Sequence, residues 1–191
     1  MRPNGFTLIE TATAVFVLLM FLAVAAPSLN AYSIEATLLG AGRSFTAEFH
    51  KARSMAIKQG VMTAIRFERA GDQAFYSVYA DGNHNGVRSR DITSGIDPRV
   101  AGPFPLHGGS ARVRVGINPG VREIPPDSGW LTGDPIRFGS SDILSFSPLG
   151  TATPGTFYLA GEGIQAAVRV SPGSARVRLL TCRGGRRWVE R

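Results

Sequence analysis

The spacing of apolar and polar positions changes twice along this chain. No charged residue occurs from 11 to 34, and the run 6–29 is long enough to cross a bilayer as a helix. Beyond it, Leu38, Gly42, Phe45, Phe49, Ala52 and Ala56 follow a 4-3-4-3-4 spacing, which puts them on one helical face. Arg43, Glu48, Lys51 and Lys58 fall off that face. Gly60 is the expected stop, because glycine accepts the left-handed backbone that closes a helix. After Gly60 the period becomes two. Strands are predicted over 61–68 and 74–80, on either side of a turn at 70–72. Further strands are predicted over 111–117, 135–138, 143–147, 156–160, 166–170 and 175–182, with glycine and proline punctuating all of them. The stretch 91–107 reads as a long surface loop. A helix followed by strands predicts an α+β fold, with a long N-terminal helix packed on a C-terminal antiparallel β-sheet head.

One acid, Glu10, stands at the edge of the apolar N-terminal run. A carboxylate in a bilayer costs several kcal/mol unless it finds a partner. A plain membrane anchor leaves Glu10 unexplained. A secretory signal, with Arg2 as its basic region and Ala23-Val24-Ala25 as its cleavage site, puts Glu10 near the start of the apolar core. A third reading uses all these features together. The stretch Gly5-Phe6-Thr7-Leu8-Ile9-Glu10 resembles the processing site of type IV pilins and type II secretion pseudopilins.

That resemblance implies a leader, 1–5, cut by prepilin peptidase after Gly5. It implies N-methylation of Phe6, a transmembrane helix over 6–29, an amphipathic continuation over 30–60 and a periplasmic head over 61–191. It also makes Glu10 the partner of a neighbouring subunit's N-terminal amine. An ion pair in a low-dielectric bundle is far stronger than in water, and an unpaired charge there is costly, so the carboxylate would set register during assembly. Pro27 matches a proline usual in the family. It removes a backbone donor and permits a bend or local melting.

The C-terminal half narrows the resemblance. Ser145-Phe146-Ser147-Pro148-Leu149-Gly150-Thr151-Ala152, then Val168-Arg169-Val170-Ser171, then Gly173-Ser174-Ala175-Arg176-Val177-Arg178, is similar to the GspH/FimT family. Ala175 stands where those proteins usually have glycine. The family consists of minor pseudopilins of type II secretion and minor type IV pilins. Membership implies a structural protein of the bacterial inner membrane, its head in the periplasm, placed at or near the tip of a pseudopilus. The implied partners are other pseudopilins or pilins, the prepilin peptidase, the inner-membrane assembly platform and membrane lipid. The alternative is a minor type IV pilin that binds DNA during uptake.

Composition bears on that alternative. The 191 residues carry a formal charge of +7, with 19 arginines and two lysines. Residues 169–191 hold seven arginines and one glutamate. Arg176, Arg178, Arg183, Arg186 and Arg187 are the candidate phosphate contacts, and Trp188 is the candidate stacking platform. A strand with Arg176 and Arg178 pointing outward, and Val177 and Leu179 facing the core, accounts for the same pattern.

Other chemistry is sparse. The single cysteine, Cys182, excludes an intramolecular disulfide, and His50, His84 and His107 lack metal-ligand spacing. The stretch 81–91 places Asp81, Asn83 and Asn85 at positions one, three and five of a calcium-type loop, with Gly86 at six. The closing acid, Asp91, comes one place early, and Arg88 and Arg90 reduce the negative charge. Calcium is the only cofactor these residues suggest, and an Asp/Asn/Gly turn between strands explains the same letters. Ser140-Ser141-Asp142 has no histidine nearby in sequence, and no nucleophile elbow, P-loop or dinucleotide fingerprint occurs, so no enzyme is expected.

The processing reading predicts an intact mass for the membrane-extracted protein that lacks residues 1–5 and carries one methyl group on Phe6. A mature chain starting near Ala26 would establish the secretory-signal reading in its place.

Overall fold

The structure is a computed structural model describing residues 7–70, 73–106 and 112–191, apart from the side chains of 24–28 and 70. Helix α1 runs from Leu8 to Gln59 and includes position 27. At 1.5 Å per residue it is about 78 Å long. Both ends are capped by local chemistry. Thr7 Oγ1 accepts from the Glu10 amide at 3.3 Å, and the Thr7 amide donates to Glu10 Oε2 at 2.9 Å, which completes a capping box. Gly60, at φ 69°, closes the last turn by donating to Ala56 O.

The strands are β1 (Thr63–Ala70), β2 (Gln73–Ala80), β3 (Arg99–Pro105), β4 (Arg114–Val115), β5 (Ile136–Arg137), β6 (Ile143–Phe146), β7 (Gly155–Gly161), β8 (Ile164–Val170), β9 (Val177–Arg183) and β10 (Arg187–Glu190), with a short helix α2 (Ser89–Thr93). They form two antiparallel sheets. One has the order β3-β2-β1-β6; the other has the order β10-β9-β8-β7-β4, with β5 also paired to β7.

The lower half of α1 lies against both sheets. Ile34, Leu38, Phe45, Phe49, Ala52 and Ala56 are buried there with Ile65, Phe67, Leu144, Phe157, Val168 and Leu179. Its centre is aromatic. Phe45 meets Phe157 at 4.6 Å between ring centroids, Phe49 meets Phe138 edge-on at 5.9 Å, and Phe67 stacks on Phe138 at 5.5 Å. Such pairs add to the effect of area burial. At Gly42 a Cβ would stand 2.6 Å from Leu179 Cδ1, so the missing side chain sets how closely β9 approaches the helix.

Two smaller clusters cover the outer sheet faces. Val121, Ile124 and Leu131 pack on Tyr158, Ala167, Leu180 and Cys182, and Val87 and Ile92 pack over Ala64, Tyr79 and Ile143. Buried Gln165 donates to the carbonyls of Gly116 and Leu159, both at 2.9 Å, and accepts from the Asn118 amide at 2.8 Å. This leaves the interior amide satisfied and fastens 116–118 to the β7–β8 hairpin.

The α+β architecture agrees with the sequence, with two sheets forming the head. The stretch 91–107 is not a loop throughout: α2 and β3 lie in it. Gly102, Pro103 and Pro105 hide β3, and proline is tolerated because β3 is an edge strand. The basic C-terminal segment is likewise a paired strand, β10, and not a free tail. The helix of 6–29 expected to cross a membrane is not found: among the described residues no helix is long and apolar enough to do so.

Ala175 has φ 48° and is fully buried, so the position usually glycine in the family keeps a left-handed backbone while its methyl fills the core.

Truncating Phe49, which is 1% exposed and touches two other rings, is expected to cost about 3–5 kcal/mol of stability. Chemical denaturation of the detergent-solubilised chain measures it, with Phe104→Ala on the half-exposed edge strand β3 expected to cost much less.

Candidate functional site

Three regions gather the chemistry that the sequence singles out. The first is the start of α1. Gly5 and Phe6 lie outside the described residues. Glu10 is exposed and held by Thr7, whose hydroxyl donates to Glu10 Oε2 at 2.8 Å alongside the amide. In the single chain, then, the carboxylate already has a partner in its own helix terminus, where negative charge is also favoured by the helix dipole. From Val15 to Leu22 the large apolar side chains are all exposed, with Phe21 at 70%. The side chain of Pro27 falls outside the described residues, and the helix runs on through that position.

The second region is the loop from Asp81 to Asp97. Asp81 is buried and accepts from the amides of Asn83 at 3.2 Å and Gly86 at 2.7 Å. Asn83 Oδ1 accepts from the Asn85 amide at 3.2 Å. Asp91 is buried in α2, and its carbonyl receives the amides of Ile96 and Asp97. Asp97, 1% exposed, accepts from the Gly82 amide at 3.1 Å and the Arg88 amide at 3.0 Å. Two buried carboxylates thus hold the two limbs of the loop together through backbone amides, an arrangement of charge-assisted hydrogen bonds. The residue pattern did not single out Asp97; the one signal is an acid before Pro98 inside the stretch 91–107. Among the described residues, no three His, Cys, Asp or Glu side chains come together at metal-holding distance.

The third region is the C-terminal hairpin, β9 and β10. Arg176 and Arg178 share Glu190, at 3.0 Å and 3.9 Å. Arg183 pairs with Glu35 on α1, and Arg191 reaches the same carboxylate at 3.1 Å. Trp188 Nε1 donates to Arg122 O at 2.8 Å, and its ring lies 6.3 Å from Tyr158. Among the described residues, Arg186 and Arg187 form no ion pair. They line a groove of about 390 Å³ together with Arg122, Asp127 and Trp188. The Arg122 guanidinium sits 5.0 Å from the Trp130 ring centre, and Trp130 is 61% exposed. Nothing in the residue pattern joins Arg122 and Trp130 to the C-terminal segment; they come from the loop that covers β8 and β9.

The remaining reactive groups are isolated. Burial pushes the Cys182 thiol up, which keeps it protonated and unreactive. Asp142 has φ 51°. Its carboxyl is pushed up first by burial and then by Asp134, against a smaller opposing effect of Arg69.

Against known families, the model of the type II transport protein GspH matches residues 41–174, more than two thirds of the chain. No curated protein matches, and no solved structure matches. The matched stretch begins inside the buried half of α1 and ends just before Ala175.

For Asp142 the sign of the pH effect follows from the raised pKa. The folded state resists ionisation of this carboxyl, so the charged form costs stability above its folded pKa, and that cost disappears as the pH falls through it. Asp142→Asn, which also suits the left-handed backbone, is expected to raise the thermal midpoint at neutral pH. The gain should shrink in acid, where the wild-type carboxyl is protonated; thermal scans at both pH values measure this.

Proposed function

The chain belongs to the type II transport protein GspH family, and on that premise we propose that it is a minor pseudopilin, assembled at or near the tip of a type II secretion pseudopilus. Family membership gives a structural pseudopilin of type II secretion in general, one that interacts with other pseudopilins. The finer reading is supported by the division of α1. Its lower half is committed to the head, whereas its upper half presents apolar side chains that no described residue covers. Such a surface suits lipid before assembly and the helices of other subunits afterwards. Cleavage after Gly5, methylation of Phe6, and an inner-membrane anchor with a periplasmic head complete the reading.

Glu10 has two jobs in this account. In the free subunit it caps α1 through Thr7. In the filament it faces a neighbour's terminal amine, exchanging one donor for a stronger, charged one. For a cation at 81–91, calcium suits the oxygen donors, and Asp81 would share its oxygens between the ion and the amides of Asn83 and Gly86.

The observation that carries the proposal is the family match over 41–174. Replacing Glu10 by Gln and by Ala separates its two jobs, because glutamine keeps a capping acceptor and loses only the charge. Both variants should insert and be processed, and both should lower co-purification with other pseudopilins by roughly tenfold, the size of one modest ion pair. Wild-type co-purification of Glu10→Gln, with loss confined to Glu10→Ala, would show that capping and not the charge matters.

A further inference from the structure

We propose that the groove between the 122–129 loop and the β9–β10 turn is a docking surface for an acidic segment of a partner protein. This rests on the geometry of the head alone and holds whatever the position of the chain in a filament. Arg122, Arg186 and Arg187 bring three positive charges to one groove, and none forms an ion pair among the described residues, whereas the two carboxylates of its lining, Glu123 and Asp127, are paired with Arg137 and Arg169. The groove is built and not incidental: at Gly185 a Cβ would stand 2.1 Å from Gly120 O, and the Arg122 amide donates to Gly185 O at 2.9 Å. The β9–β10 turn and the covering loop are therefore locked together. Trp188 is fixed by its bond to Arg122 O, and Trp130 stands exposed under the Arg122 guanidinium. Arginine and tryptophan held rigid beside each other are the side chains that dominate protein interfaces.

The same observations favour a peptide over a nucleic acid. A duplex presents a charge about every 1.7 Å and rewards a continuous basic track. Here the neighbouring arginines are already neutralised: Arg176 and Arg178 by Glu190, Arg183 and Arg191 by Glu35, and Arg169 by Asp127 at 3.0 Å. A groove of this volume accepts a few side chains. Carboxylates would meet Arg186, Arg187 and Arg122, and an aromatic or apolar side chain would meet Trp188.

Trp188 lines this groove and Trp130, the other tryptophan of the chain, lies against its Arg122, so the intrinsic fluorescence reports on it. The full chain in detergent is titrated with a capped peptide of glutamates flanking one phenylalanine. Its glutamine counterpart and a single-stranded oligonucleotide of equal formal charge serve as comparisons. The acidic peptide should give a saturable, salt-sensitive change, and the double variant R186E/R187E should weaken it at least about tenfold. The lysine counterpart should bind the double variant better than it binds the wild type. Both arginines are exposed, so the variant's thermal midpoint should match the wild type; R122Q serves as a second variant if it does not. Equal binding of the glutamine peptide, tighter binding of the oligonucleotide, or no fluorescence change with the acidic peptide would each overturn the proposal.

Discussion

Everything in this head depends on one stripe of α1 being taken out of water by two sheets at once. Leu38, Phe45, Phe49, Ala52 and Ala56 meet side chains from β1, β6, β7, β8 and β9. Neither sheet buries its inner face without the helix. Small residues make the approach possible. Gly42 lets Leu179 close on the backbone, and Ala52 and Ala56 allow the last turns to lie close to β1. The aromatic rings then fill the wider space between the sheets. The helix leaves the head with one half buried and one half bare, and that division suits a subunit whose neighbours supply the missing cover.

The polar ties follow from the same placement. Because β9 lies beside α1, Glu35 on the helix can hold Arg183 and Arg191 from the two ends of the C-terminal hairpin. These exposed pairs contribute little stability singly, but they decide which arginines remain available. Of the arginines in the C-terminal hairpin, Arg186 and Arg187 form no ion pair among the described residues, and Arg122 lines the same groove. Net charge alone would have spread the positive character over the whole tail.

Much of the fold was legible because its periods are strong. The 4-3-4-3-4 spacing located the buried face of α1 position by position, and Gly60 ended the helix as glycine should. The hairpin of β1 and β2 was visible from alternation. What escaped detection was structure written in residues that usually break structure. Strand β3 contains Gly102, Pro103 and Pro105, and an edge position excuses them. Strand β10 is short and carries Arg187 and Glu190, so it read as a solvated tail. Asp97 and Glu35 were not legible as partners because their roles depend on contacts nine to more than a hundred residues away. Glu10 was legible as an oddity, but its bond to Thr7 shows that the free chain has its own use for the carboxylate.

The central claim is that the bare half of α1 is reserved for other pseudopilins. A photo-crosslinking residue at Leu18, which is 61% exposed, tests it in secreting cells. The account predicts adducts between Leu18 and the N-terminal helix of another pseudopilin, and no such adduct from the same probe at buried Leu38. Adducts to lipid alone at Leu18, in cells whose secretion still requires this protein, would contradict it.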